Sequence, residues 1–118
     1  MNEPHMISAQ PALPVADVER AFDFYEKLGF RKHFQNRDLH LLIEKDGVIL
    51  HLATQLLSGV GGCQIMVRGV GRLYESARDA GLEPFHDLMD EPWGCRDFTL
   101  ADPDGNLITF SEPLASID

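Results

Sequence analysis

The sequence predicts an α+β fold of two βαβββ units, and three observations carry the prediction. Setting Val15-Ala16-Asp17-Val18 against Val67-Arg68-Gly69-Val70 gives an offset of 52 residues that also brings Phe22 onto Tyr74, Leu28 onto Ala80 and Gly29 onto Gly81. In both halves an apolar stripe at helical spacing is followed by runs of strand-forming residues. Each half then carries an Asp-Gly turn, Asp46-Gly47 and Asp104-Gly105, at an offset of 58. The six-residue increase assigns extra chain to the second copy between Glu83 and Cys95, around Pro92-Trp93-Gly94. A unit too small to close a core alone packs against its copy, and the seam is a natural place for a ligand.

Ile7 to Pro14 reads as the first strand, and Pro11 and Pro14 suit a sheet edge because proline has no N–H for a ladder. Asp17 is a helix N-cap. From Val18 through Ala21, Phe22, Tyr25 and Leu28 the apolar residues share one helical face, with Glu19, Arg20, Asp23 and Lys27 on the other. Gly29 supplies a left-handed stop. Phe30 to Asn36, Leu39 to Glu44 and Val48 to Ala53 read as three strands, the last two joined by Lys45-Asp46-Gly47. The second half repeats the order. Gln64 to Val67 is a strand, and Val70, Leu73, Tyr74, Ala77 and Ala80 form a helical stripe ending at Gly81. Strands follow near Glu83 to His86, Arg96 to Ala101 and Asn106 to Ser111, with Pro103-Asp104-Gly105 as the final turn. Glycine-rich Ser58 to Gly62 reads as a connector. A single domain thus spans 1–118, with repeat one at about 7–56, the connector at 57–62 and repeat two at about 63–113.

Composition narrows the function classes. The chain has 118 residues, 44% of them hydrophobic, which suits one domain with a packed core. Ten basic against nineteen acidic residues leave a formal charge of −9, the wrong sign for a phosphate-tracking groove, so no nucleic-acid partner is expected. Acidic walls instead raise the local concentration of cationic ligands. No run approaches membrane-spanning length, and Met1-Asn2-Glu3-Pro4-His5 has neither a basic region nor an apolar run behind it; a cytoplasmic protein without membrane contact is expected. Cys63 and Cys95 are too few for a disulfide framework and too far apart for a Cys-x-x-Cys metal motif, so they read as reduced structural thiols.

Pro14-Val15-Ala16-Asp17-Val18, Phe24-Tyr25, Leu28-Gly29-Phe30 and Asp102-Pro103-Asp104-Gly105-Asn106 together resemble the vicinal oxygen chelate superfamily, the fold of glyoxalase I, extradiol dioxygenases and bleomycin resistance proteins. The resemblance runs from about Ile7 to Pro113. Val67-Arg68-Gly69-Val70, Leu73-Tyr74 and Glu91-Pro92-Trp93-Gly94 leading to Asp97-Phe98 look like the bleomycin resistance branch, whose members sequester a drug without altering it. What this implies is a cup-shaped, mostly antiparallel sheet and a homodimer in which units of two chains complete shared cups. Covering the open edges of eight short strands is a physical reason for the same assembly.

In the resistance branch an aromatic residue at the Pro-Trp-Gly position stacks on flat heteroaromatic rings at the dimer interface, and Trp93 stands there. The alternative for Trp93 is an ordinary anchor beside a turn. Phe34 matches a second aromatic position, with plain core packing as its alternative. Where a further stacking ring would stand this chain has Leu39, and an aromatic position at the start of the second copy falls near Gln64. These departures point away from bleomycin itself toward another flat or cationic small molecule, while leaving a bleomycin-like ligand open.

The superfamily's enzymes hold a divalent metal on the first and last strands of each copy. The corresponding residues here are Gln10, His51 and Thr109, with Gly62-Cys63-Gln64 at the start of the second copy. Gln10 and His51 are possible ligands, but Thr109 stands where a glutamate is usual, and a site without a carboxylate is a poor one for a divalent ion. The leading expectation is therefore a cofactor-free binder that uses Trp93, Phe34 and Leu39 as apolar contacts and Gln10, His51 and Thr109 as polar groups. The alternative is a metal-dependent lyase or dioxygenase with Gln10 and His51 as ligands.

Other chemistry finds little support. Gly59-Val60-Gly61-Gly62 has no following Lys-Ser/Thr for phosphate binding. Ser58, Ser76 and Cys95 lack the neighbours of an activated nucleophile. His33, His40 and His86-Asp87 read as scattered strand and turn residues.

Overall fold

A computed structural model describes residues 3–54 and 59–114, and both stretches run strand, helix, three strands. The first repeat comprises β1 (Ala12–Pro14), α1 (Val18–Glu26), β2 (Arg31–Asn36), β3 (His40–Lys45) and β4 (Val48–Ala53). The second comprises β5 (Gly62–Met66), α2 (Val70–Asp79), β6 (His86–Asp90), β7 (Cys95–Ala101) and β8 (Leu107–Pro113). Each repeat forms a four-stranded sheet, ordered β1-β4-β3-β2 and β5-β8-β7-β6. The first strand of each pairs parallel with the last, and the other pairs are antiparallel.

The helices form where capping and periodicity place them. Asp17 is the N-cap of α1, its carboxylate accepting from the Glu19 and Arg20 amides. Gly29 and Gly81 end the helical turns at φ +96° and +87°. Helix α2 has no side-chain cap of its own at Gly69. The Glu112 carboxylate on β8 caps it instead, accepting from the Val70 amide at 3.0 Å and the Gly69 amide at 3.1 Å. Those bonds hold the Glu112 carboxyl below its ordinary pKa of 4.5.

Alternation along the strands divides two environments. Leu41, Ile43, Leu50 and Leu52 in the first sheet and Phe98, Leu100, Ile108 and Phe110 in the second join one core with Val18, Ala21, Phe22, Tyr25, Val70 and Ala77 of the helices. Phe98 and Phe110 stack at 5.3 Å between centroids, and Tyr74 meets Phe98 edge-on at the same distance. The intervening residues face away from the helices.

Several boundaries differ from expectation. The first strand was expected from Ile7 but is only Ala12–Pro14, because β4 offers it just His51 to Ala53 as partners. Pro11 still accepts from the His51 amide at 2.9 Å, whereas Ile7 lies exposed. The strand expected near Glu83 to His86 begins at His86 and runs to Asp90. Pro84 has no N–H for the ladder, and the first backbone bond to β7 comes from Phe85, at 2.8 Å to the Thr99 carbonyl. Gly62, read as connector, opens β5, and a Cβ there would stand 2.9 Å from the Leu107 carbonyl oxygen. Positions 57 and 58 of the connector, including Ser58, lie outside the described residues.

The extra chain of the second repeat is not confined to the Glu83 to Cys95 stretch. The last hairpin leaves five residues, Asp102–Asn106, between the Ala101–Leu107 pair, against two, Asp46-Gly47, in the first repeat. The longer loop joins the repeats. Asn106 is wholly buried, donates to the Pro14 carbonyl at 2.9 Å and accepts from the Gly61 amide at 2.6 Å. Asp104 accepts from the Ala16 amide at 3.0 Å. Among the described residues no helix is long and apolar enough to cross a membrane.

Candidate functional site

The site begins with two rows of side chains on the helix-free faces. Across the first sheet, register places Phe34, Leu42, His51 and Ala12 side by side. The corresponding row of the second sheet is His86, Thr99, Thr109 and Gln64. His51 and Thr109 therefore occupy equivalent places, as their offset of 58 implies. They stand in different sheets.

Gln10 and His51 come together although Gln10 precedes the strand. Gln10 Oε1 lies 2.7 Å from His51 Nε2, and His51 Nδ1 lies 2.9 Å from His40 Nε2. An amide oxygen can only accept, so His51 carries its proton on Nε2 and accepts from His40 through Nδ1. The result is a hydrogen-bonded relay from His40 to His51 to Gln10. Burial, then the neighbouring His40, hold the His51 pKa below its ordinary 6.5, so the neutral form is favoured. His40 passed as a scattered strand histidine in the sequence. Its signal was its position beside Asn36 and Ala53 in the row next to His51, visible only once β3 and β4 are paired.

The other expected residues divide between the two repeats. Phe34 lies on the outermost strand of the first sheet, 60% exposed, so the core-packing alternative does not describe it. Leu39, in the β2–β3 turn, is 37% exposed. Thr109 shares a hydroxyl hydrogen bond with Thr99 at 2.8 Å. Trp93 tops the β6–β7 turn at the far edge of the second sheet, 69% exposed. That turn is closed by Glu91 N to Cys95 O at 2.7 Å and Gly94 N to Glu91 O at 3.0 Å, and held from just beyond β8 by Leu114 N to Gly94 O at 2.9 Å. Phe34 and Trp93 thus stand in different sheets, one on an edge strand and the other in a turn at an outer edge.

At the seam a cleft of about 280 Å³ is lined by Gln10, Val48, Ile49, Gln64, Ile65 and Met66 among others. Its walls belong to both repeats. Cys63 and Cys95 are free thiols, and burial pushes the Cys63 pKa up.

The superfamily metal position can be tested on these donors. His51 has both ring nitrogens engaged, Gln10 offers one amide oxygen, and Thr109 is spent on Thr99. Gln10, His51, Gln64 and Thr109 include no carboxylate, and they do not fit a divalent ion.

Residues 7–110 match the family model of the Glyoxalase/Bleomycin resistance protein/Dioxygenase superfamily. A bleomycin resistance protein of Geobacillus stearothermophilus is 32% identical over 133 aligned positions, which cover 94% of this chain and 100% of that protein. The crystal structure of a bleomycin resistance determinant encoded on the transposon Tn5 matches with a TM-score of 0.82 at 21% identity, over 93% of this chain and 100% of that one. A bleomycin-binding protein complexed with bleomycin matches with a TM-score of 0.79 at 23% identity, over 91% and 98% respectively. At those identities the two structures speak for the fold.

Proposed function

The chain belongs to the glyoxalase/bleomycin resistance protein/dioxygenase superfamily, and on that premise we propose that it is a non-catalytic drug-sequestering protein that binds a flat, cationic, bleomycin-like molecule between two copies of itself. The observation that carries the reading is the exposed indole of Trp93, held on a tightly closed turn in a chain similar over 94% of its length to a bleomycin resistance protein. An exposed ring on a rigid turn is preorganised for stacking, which adds about 0.5–1.5 kcal/mol beyond the area it buries. Phe34 and Leu39 supply apolar contacts at the other edge, and Gln10, His51 and Thr109 are the polar groups. With the superfamily metal position lacking a carboxylate, binding without bond-making is the use these faces support.

The placement of the two aromatics supports a dimer. Asn106 bonds Pro14 and Gly61 packs against Leu13 and Pro14, so the sheets meet where β1 adjoins β5, and β2 and β6 are the outer strands. At about 4.8 Å per strand, the roughly seven spacings from β2 to β6 put Phe34 and Trp93 on the order of 30 Å apart along the sheets, too far for one ring system to touch both. A partner related by a two-fold axis brings the β2 edge of one chain to the β6–β7 turn of the other and makes two equivalent sites. The net charge of −9 favours capture of a cation.

Titration of the protein with metal-free bleomycin, followed by Trp93 fluorescence, tests the reading. A saturable change at micromolar drug with one site per chain is expected, alongside a dimer in light scattering. No saturable change, or a monomer that binds as tightly as the dimer, refutes it.

A further inference from the structure

We propose that His86, Glu91 and Asp97 form a binding site for a divalent transition-metal ion, of the zinc type, at the foot of the Trp93 turn. One ligand atom from each residue lies within 4.8 Å of the others. The position differs from the superfamily's metal place, because these residues stand on β6, in the turn and on β7, not on the first and last strands.

Three features make the cluster more than a patch of surface acids. Asp97 is only 5% exposed, and its Oδ1 is buried without a hydrogen-bond partner. A buried polar atom without a partner is costly, and native proteins keep few of them. The Glu91 side chain is only 9% exposed and points at the same place, with its Oε2 3.4 Å from His86 Nε2. That is long for a hydrogen bond. It matches the roughly 3.4 Å between ligand atoms held about 2.0–2.2 Å from a tetrahedral zinc ion. Among the described residues the only ion-pair partner of Glu91 is His86, and Asp97 has none, while nearby Arg96 pairs with Asp90.

The backbone aims the donors. A register shift in β6 between His86 and Met89 lets both His86 and Met89 pair on the face that carries Thr99 and Asp97. Bulges of this kind re-aim side chains. Directly across from Asp97, Ser111 Oγ is also buried without a partner. One imidazole and two carboxylates form a donor set of borderline character, suited to zinc, cobalt or manganese more than to calcium. A bound ion would tie β6, the turn and β7 together and fix the base on which Trp93 stands.

Equilibrium dialysis of chelator-treated protein against zinc chloride tests the assignment. One zinc per chain is expected, with the affinity falling at least about tenfold in both His86→Ala and Glu91→Gln and further in Asp97→Asn. Cobalt should give a visible absorption band that the same substitutions remove, while exposed His33→Ala keeps both. If Asp97→Asn fails to fold by circular dichroism, the other two variants decide. No saturable uptake by about 100 µM zinc, uptake untouched by His86→Ala and Glu91→Gln, or uptake lost on His51→Ala instead would each overturn the site.

Discussion

The Tyr25 hydroxyl donates to Asp102 Oδ2 at 2.7 Å, joining the helix of the first repeat to the last hairpin of the second. The other oxygen of the carboxylate accepts from the Asp104 and Asn106 amides, each at 2.9 Å, so one side chain both shapes the loop and anchors it. Burial, then the Asp102 charge and the bond to it, hold the Tyr25 pKa far above its ordinary 10, keeping the phenol a donor. Tyr25→Phe leaves the ring in place and removes only the bond. It should cost about 1–3 kcal/mol in urea unfolding with an unchanged slope, because the partner is a buried carboxylate. A loss under about 0.5 kcal/mol would mean the contact contributes little.

Two glycines should respond oppositely to alanine. At Gly62 a Cβ would meet the Leu107 carbonyl oxygen at 2.9 Å, forcing β5 away from β8, and about 1–3 kcal/mol of destabilisation is expected. At Gly71 in α2 a Cβ meets nothing within 4 Å, and the gain in helix preference should stabilise by about 0.5–1 kcal/mol. Thermal melts of both variants check the pair; equal signs would contradict the packing described.

The relay of His40, His51 and Gln10 makes stability depend on pH. Since the folded state lowers the His51 pKa below 6.5, the unfolded chain binds its proton more readily, and stability from this group is full above that pH. It is lost as pH falls below 6.5 toward the lowered folded value. An NMR titration should find a His51 midpoint under 6.5, and His51→Gln should show a smaller drop in melting temperature on acidification than the parent. A midpoint above 6.5 would reverse the argument.

Mixing two binding variants tests whether Trp93 and Phe34 reach one ligand from different chains. Alone, Trp93→Ala and Phe34→Ala should each weaken bleomycin binding about tenfold, the loss of one stacked ring with its buried area. In a mixed dimer one site keeps both aromatics and the other has neither. Half of the mixed dimer's sites, about a quarter of all sites after random exchange, should therefore regain the parent affinity, whereas sites built within one chain would regain none.

Much of this molecule is legible in its sequence because that information is local and periodic. The 3.6-residue stripes from Val18 and Val70, the Asp17 cap and the Asp-Gly turns act through neighbours in sequence, and every element but β1 and β6 formed within about two residues of its expected bounds. Comparison of the halves paired His51 with Thr109 for the same reason, since equivalent positions in a repeat inherit the same face. Gln10, His51, Trp93 and Phe34 stand out by position in the repeat, and both aromatics are exposed in the folded chain.

What depends on approach across the chain was not readable. Gln10 reaches His51 across 41 positions and His40 meets it diagonally, contacts set by the registers of β1 and of β3 on β4. The shortening of the first strand and the delayed start of β6 follow from which backbone groups a partner strand leaves free. The convergence of His86, Glu91 and Asp97 needed the β6 register shift, and no spacing rule announces a bulge. Sequence alone determined the two-copy α+β plan and its element order, because hydrophobic period and turn chemistry are local. Tertiary structure alone decided which polar atoms face one another, because strand register and the loop from Asp102 to Asn106 bring distant residues within hydrogen-bonding range.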